Sequence, residues 1–137
     1  MDISKIRRNV KAITEGEWVS NIPGAGELRL KVRGMTAPEV REFRSKLERS
    51  ASAEDRHPDG TLRGDKSMEI LAETLFEKVL LDWDGLTDDG NPVKYSPALA
   101  KEWLTNPEYE EFGDAVVWAA HSVDRLRIKK TEEIAGN

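Results

Sequence analysis

The sequence predicts a mainly α protein of the α+β class, an N-terminal β-hairpin packed on a small bundle of about four helices. Two observations carry that expectation. Leu28, Leu30 and Val32 alternate strictly with Glu27, Arg29, Lys31 and Arg33, the two-residue repeat of a strand with one buried face. Elsewhere apolar residues recur every three or four positions, in segments opened by capping residues or by proline.

The elements follow in order. From Asp2 to Ile13 the apolar residues Ile3, Ile6, Val10 and Ile13 form a helical stripe with Asp2 as its cap. Glu17-Trp18-Val19-Ser20 can pair with the alternating strand, with Pro23-Gly24 and Gly26 supplying the turn. A lone hairpin is unstable in water, so this one must pack on a helix or extend into a neighbour's sheet. Thr36-Ala37-Pro38-Glu39 reads as a capping box, followed by Val40, Phe43 and Leu47 at helical spacing.

Residues 51–66 contain almost no large apolar side chain and include Pro58, Gly60 and Gly64, so a mobile loop is expected there. Met68, Leu71, Ala72, Leu75 and Val79 make the strongest stripe, widened by Phe76, Leu80 and Trp83 into a central core helix that ends at Asp84-Gly85. Ser96-Pro97 opens a short helix through Trp103, and Asn106-Pro107 opens the last one, with Phe112, Val116, Ala119, Val123 and Leu126 along one face. A frayed tail is expected from about residue 129. The 137 residues are read as one domain, with 34% charged residues leaving enough apolar side chains for one core and no second.

Composition excludes several chemistries. Without cysteine there are no disulfides, thiolate nucleophiles or Cys-based zinc sites. Asp82, Asp84, Asp88 and Asp89 invite a calcium loop, but neither register puts glycine at its sixth position or glutamate at its twelfth. Asp88-Asp89-Gly90-Asn91-Pro92 is turn composition. His121, Ser122 and Asp124 stand close in sequence, yet adjacent helical residues point apart, so no nucleophile triad is expected. Gly24-Ala25-Gly26 lacks the lysine and following helix of a phosphate loop. No enzyme activity, cofactor or metal is expected.

Charge is uneven. Residues 1–50 carry 11 Lys+Arg against 7 Asp+Glu, and residues 51–137 carry 10 against 19. Such asymmetry suits head-to-tail self-association better than nucleic-acid binding, which concentrates Lys and Arg on one face. The longest apolar runs, Val79-Leu80-Leu81 and Ala115 to Ala120, are too short to span a bilayer, so neither a membrane nor a nucleic-acid partner is expected, and the chain is read as cytoplasmic. Trp83 and Trp118 lie in apolar segments and read as core. Trp18 and Trp103 lie in polar surroundings, where an interface role competes with burial.

Two stretches carry a family resemblance. One runs from Asp2-Ile3-Ser4-Lys5-Ile6 through Glu15-Gly16-Glu17-Trp18-Val19 and Ile22-Pro23-Gly24 to Leu28-Arg29-Leu30-Lys31-Val32-Arg33-Gly34. The other, more specific, is Leu81-Asp82-Trp83-Asp84-Gly85-Leu86-Thr87-Asp88-Asp89-Gly90-Asn91-Pro92-Val93 with Tyr95-Ser96-Pro97-Ala98-Leu99-Ala100. In pattern and order, the chain resembles the tail assembly chaperones of long-tailed, siphovirus-type bacteriophages, outside the 51–66 loop and the C-terminal tail. The resemblance implies a non-catalytic protein that binds the phage tape measure protein, keeps it soluble and promotes polymerisation of the tail tube protein around it. It further implies a host-cytoplasmic protein that is absent from the mature virion. Such chaperones are often accompanied by a longer form made by ribosomal frameshifting, and Lys129-Lys130 is the kind of dipeptide that a slippery site encodes.

On that reading Trp18, Leu28, Leu30 and Val32 are expected near a subunit or client contact, with Trp103 as a further interface residue. Two other classes compete. A tail-completion or head–tail connector protein would remain in the particle, and a small regulatory nucleic-acid-associated module would use the basic N-terminal half.

Overall fold

Alternation in Leu28-Arg29-Leu30-Lys31-Val32 sets the centre of the fold. The computed structural model describes residues 1–135, and side chains of the last helix as far as Leu126. In it, β2 (Arg29–Val32) turns Leu30 and Val32 fully inward. On one side β2 pairs antiparallel with β1 (Glu17–Val19), Val19 opposite Leu30. On the other it pairs antiparallel with β3 (Leu80–Asp84), Trp83 opposite Leu30 and Leu80 opposite Val32. The expected hairpin is therefore part of a three-stranded sheet of order β1-β2-β3.

The third strand corrects the expected central helix. α3 spans Gly64–Thr74, continues as a π-helical turn over Leu75–Val79, and then becomes β3. Its sheet partner β2 lies beyond the reach of any local pattern, and a β-bulge disguises the strand. The register slips between Lys31 and Val32, so an extra β3 residue opposes the gap. Leu80 and Trp83 consequently face the same core although they stand three apart, a spacing that imitates a helix.

The remaining elements enclose the inner face of the sheet. α1 (Ile3–Glu15) is capped by Asp2, whose side chain accepts the Ser4 backbone N–H. α2 spans Pro38–Ser50, α4 Pro97–Thr105 and α5 Glu110–Ala135, which makes five α-helices among the described residues. Ser96 caps α4 by accepting from the Leu99 N–H at 3.0 Å. Asn106 accepts from the Glu108 N–H at 3.0 Å and starts a 3₁₀ turn, Pro107–Tyr109, that leads into α5. The chain is thus mainly α with a small sheet, and one continuous core gathers Ile13, Leu30, Val32, Val40, Val79, Leu80 and Val116.

The capping box expected at Thr36 does not form. Ala37 stands at the cap without a side-chain bond, while Thr36 and Glu39 turn to tertiary partners. Asp124 on α5 accepts the Thr36 hydroxyl at 2.7 Å and the backbone N–H groups of Met35 and Thr36 at 3.0 and 3.1 Å. Gly34 is needed here, because a Cβ at that position would collide with the Asp124 carboxylate. Gly85 is constrained twice. Its φ is +73°, and a Cβ would meet the Glu27 carbonyl oxygen at 2.5 Å.

Residues 51–66, expected as a mobile loop, hold a 3₁₀ turn over Ala53–Asp55 and an isolated bridge between Arg56 and Leu62. Arg56 donates to the Gly60 carbonyl at 2.9 Å and also to the Glu48 carbonyl. Asp59 accepts from the Thr61 N–H and hydroxyl at 3.0 and 2.7 Å, and these bonds hold its carboxyl below the usual carboxylate range. Polar bonds, with few apolar contacts, shape this segment. The frayed tail expected from about residue 129 falls where side chains lie outside the described residues, although the α5 backbone is helical through Ala135. Asp88, Asp89, Gly90 and Asn91 form a tight hairpin between β4 (Thr87–Asp88) and β5 (Asn91–Pro92), with positive φ at Asp89 and Gly90.

Candidate protein-docking groove

The expected contact residues separate in space. Leu28, Leu30 and Val32 are core side chains, so in this fold they cannot meet a partner; that expectation is corrected by the alternation itself, which turns them under α5. Trp18 lies on the opposite, outer face of the sheet. It is half-buried beneath the Arg29 guanidinium, 5.0 Å from the ring centroid, and Arg29 also reaches Asp84 at 3.5 Å. Lys31 is its cross-strand neighbour. Arg33 is tied inward, donating to the Thr14 and Lys78 carbonyls at 3.0 and 2.9 Å and facing Glu39 at 3.6 Å. Strand basicity is therefore largely matched within the fold.

Trp103 lines a concavity. On α4, its ring stacks on Trp83 at 5.3 Å with an interplanar angle of 22°. Phe112 stands edge-on to both indoles, at 5.8 Å from Trp83 and 5.7 Å from Trp103, and Tyr109 tilts against Trp103 at 5.8 Å. Tyr95 meets Trp83 edge-on at 5.0 Å, and burial, with Asp82 nearby, pushes its phenol pKa up. The Trp83 indole N–H donates to the Val93 carbonyl at 2.8 Å, so the most buried aromatic has its polar atom satisfied. Sequence spacing could not group these rings, because they come from β3, α4, the 3₁₀ turn and α5.

Between α3 and the corner joining α4 to α5 lies a groove of about 480 Å³. Leu71, Ala72, Leu75, Trp103, Leu104 and Val117 contribute its apolar lining, and Gly113 lies on its α5 side. Met68 and Tyr109 also line the groove and remain exposed, Met68 at 65%. Four carboxylates, Asp65, Glu69, Glu110 and Asp114, line it as well, all on exposed residues and with no Lys or Arg among the lining side chains. Glu69 is offset by Lys66 at 3.8 Å, which also faces Asp55 at 3.9 Å. Met68 was expected in the core stripe and is instead exposed, and Tyr109 was not singled out from sequence; the signal that could have found them is a large apolar residue beside acidic neighbours at a helix start.

Among the described residues there is no group of three His, Asp or Glu side chains placed to hold a metal ion. No helix among them is long and apolar enough to cross a membrane. His57 and His121 are both exposed. The arrangement offers an apolar trough with an acidic border, suited to hold the apolar face of a helix whose flanks are basic.

The family model described as YdaY prophage protein matches residues 35–137, which takes in every element from α2 onward and both walls of the groove. No curated protein and no solved structure matches the chain.

Proposed function

This chain belongs to the YdaY prophage protein family and is of phage origin, and on that premise we propose that it is a non-catalytic tail assembly chaperone. Its client is the tape measure protein, which it keeps soluble while tail tube subunits polymerise around it. It works in the host cytoplasm and leaves before the virion is complete. The observation that carries this reading is the groove between α3 and the α4–α5 corner, where Met68 and Tyr109 stay exposed over an apolar lining. A long helical client presents apolar residues at spacings of three and four, and such a trough takes them up in the manner of helix-in-groove recognition. Trp83 stacked on Trp103, with Phe112 edge-on to both, makes one wall rigid, which limits the ordering entropy lost on binding.

Co-expression with the tape measure protein of the same phage tests the proposal. Soluble client that co-purifies with the chain, lost on Met68→Glu, supports it. Client that stays insoluble and unbound, with the chain present in finished particles by mass spectrometry, replaces it with a structural tail or connector role.

A further inference from the structure

α5 links the acidic border of the groove at its start to α1, which is fastened to it at Leu126. Near its start, Glu110 and Asp114 stand one turn apart and border the groove with Asp65 and Glu69. Thirteen residues beyond Gly113, the Leu126 carbonyl accepts from the Asn9 amide and fastens α1 alongside. At 1.5 Å per residue, that separation is about 20 Å. The stripe of α1 is only partly used there. Ile13 is buried, whereas Ile3 and Val10 are 65% and 40% exposed. Arg7 follows Ile3 by four positions and Lys11 follows Arg7 by four, so a basic edge runs beside the apolar one on exposed residues.

We propose that α1 of one copy docks in the groove of a second copy. Ile3 and Val10 enter against Met68 and Trp103, while Arg7 and Lys11 lie along the carboxylates of Glu110 and Asp114. Charge complementarity selects this occupant: the groove lining has four acids and no base, and α1 bears Lys5, Arg7, Arg8 and Lys11 against one acid, Glu15, which stands 3.9 Å from Lys11. The two surfaces are different, so copies join either reciprocally across a two-fold axis or head to tail into a ring or a short filament. This inference rests on the proposed reading of the groove as a helix acceptor, so α1 of a neighbouring copy and the client compete for it.

The full chain is tested by sedimentation velocity across a concentration series at low and high salt. Association that grows with concentration and weakens with salt is expected. The pair Arg7→Glu/Lys11→Glu and the pair Glu110→Lys/Asp114→Lys should each sediment as monomers with unchanged circular dichroism. Mixing the two variants should restore assembly, since each reversed surface then meets its complement. A chain without cysteine also allows a background-free cross-link. Val10→Cys mixed with Met68→Cys should form the mixed disulfide in preference to either homodimer. A monomeric wild type, assembly indifferent to both reversals, or homodisulfides alone would overturn the proposal. Tape measure retention is read separately: a monomeric chain that still solubilises its client sinks this inference and spares the chaperone reading, while an assembling chain that retains no client does the reverse.

Discussion

The Asp124 carboxylate accepts the Thr36 hydroxyl at 2.7 Å across 88 residues of chain, and the neighbouring backbone N–H groups of Met35 and Thr36 complete the contact. One side chain on α5 thereby holds the approach to α2. Bonds to a charged acceptor contribute more than neutral ones, and its removal strands two backbone donors. Asp124→Ala should cost about 2–3 kcal/mol, Asp124→Asn less, and Thr36→Val about 1 kcal/mol. Urea unfolding midpoints at constant m-value check the order.

Gly34 and Asp124 should prove energetically coupled. A Cβ at residue 34 meets the carboxylate and also the Ile13 side chain at 3.0 Å, so Gly34→Ala should destabilise the chain. Once Asp124 is alanine, most of that clash is gone. The double variant should cost less than the sum of the single ones, by about 1 kcal/mol in a double-mutant cycle. Strict additivity would mean that the backbone relaxes freely and that the close approach is unimportant.

Trp103→Ala removes one half of the indole stack and part of the groove wall together. Loss of a half-buried aromatic should lower stability by about 2 kcal/mol, and client retention should fall with it. Trp18→Ala strips only an outer-face ring covered by Arg29, which predicts a change of at most about 1 kcal/mol and undiminished retention. Calorimetry and the co-expression assay read the two effects apart.

Tyr95 gives a pH signature at the alkaline end. Its phenol pKa is raised above the ordinary 10.0, first by burial and then by Asp82. The folded state therefore keeps its proton after the unfolded chain has released its own. The associated stability is fully present below pH 10.0 and is lost as pH rises through the folded value. Tyr95→Phe should show a shallower fall in melting temperature above pH 10.0 than the parent chain, and identical slopes would remove the assignment.

Where local rules sufficed, the sequence was legible. Asp2, Ser96 and Asn106 are used as caps, and the alternation at Leu28 to Val32 marks a buried strand face. Long-range partners were not legible. Nothing local says that Thr36 surrenders its capping role to Asp124, or that Leu80 to Asp84 pairs with a strand some fifty positions earlier. The bulge made matters worse by giving Leu80 and Trp83 a helical spacing. At the candidate site Trp103 was found because tryptophan in polar surroundings draws notice. The exposure of Met68 and Tyr109 was missed, because it depends on how α3 meets the α4–α5 corner.

The late arrival of β3 has a consequence for synthesis on the ribosome. β1 and β2 emerge first, yet the inner faces of Leu30 and Val32 stay uncovered until Leu80 to Asp84 and then α5 have followed. A chain growing from its N-terminus must therefore carry an open, apolar two-stranded ribbon through most of its translation, a nonlocal closure that slows folding. Conversely, a fragment cut to the family-matched residues 35–137 would keep both groove walls but deprive β3 of its strand neighbour β2. Leu80 and Trp83 would lose their cover, and the most recognisable part of the chain would be a poor folding unit by itself.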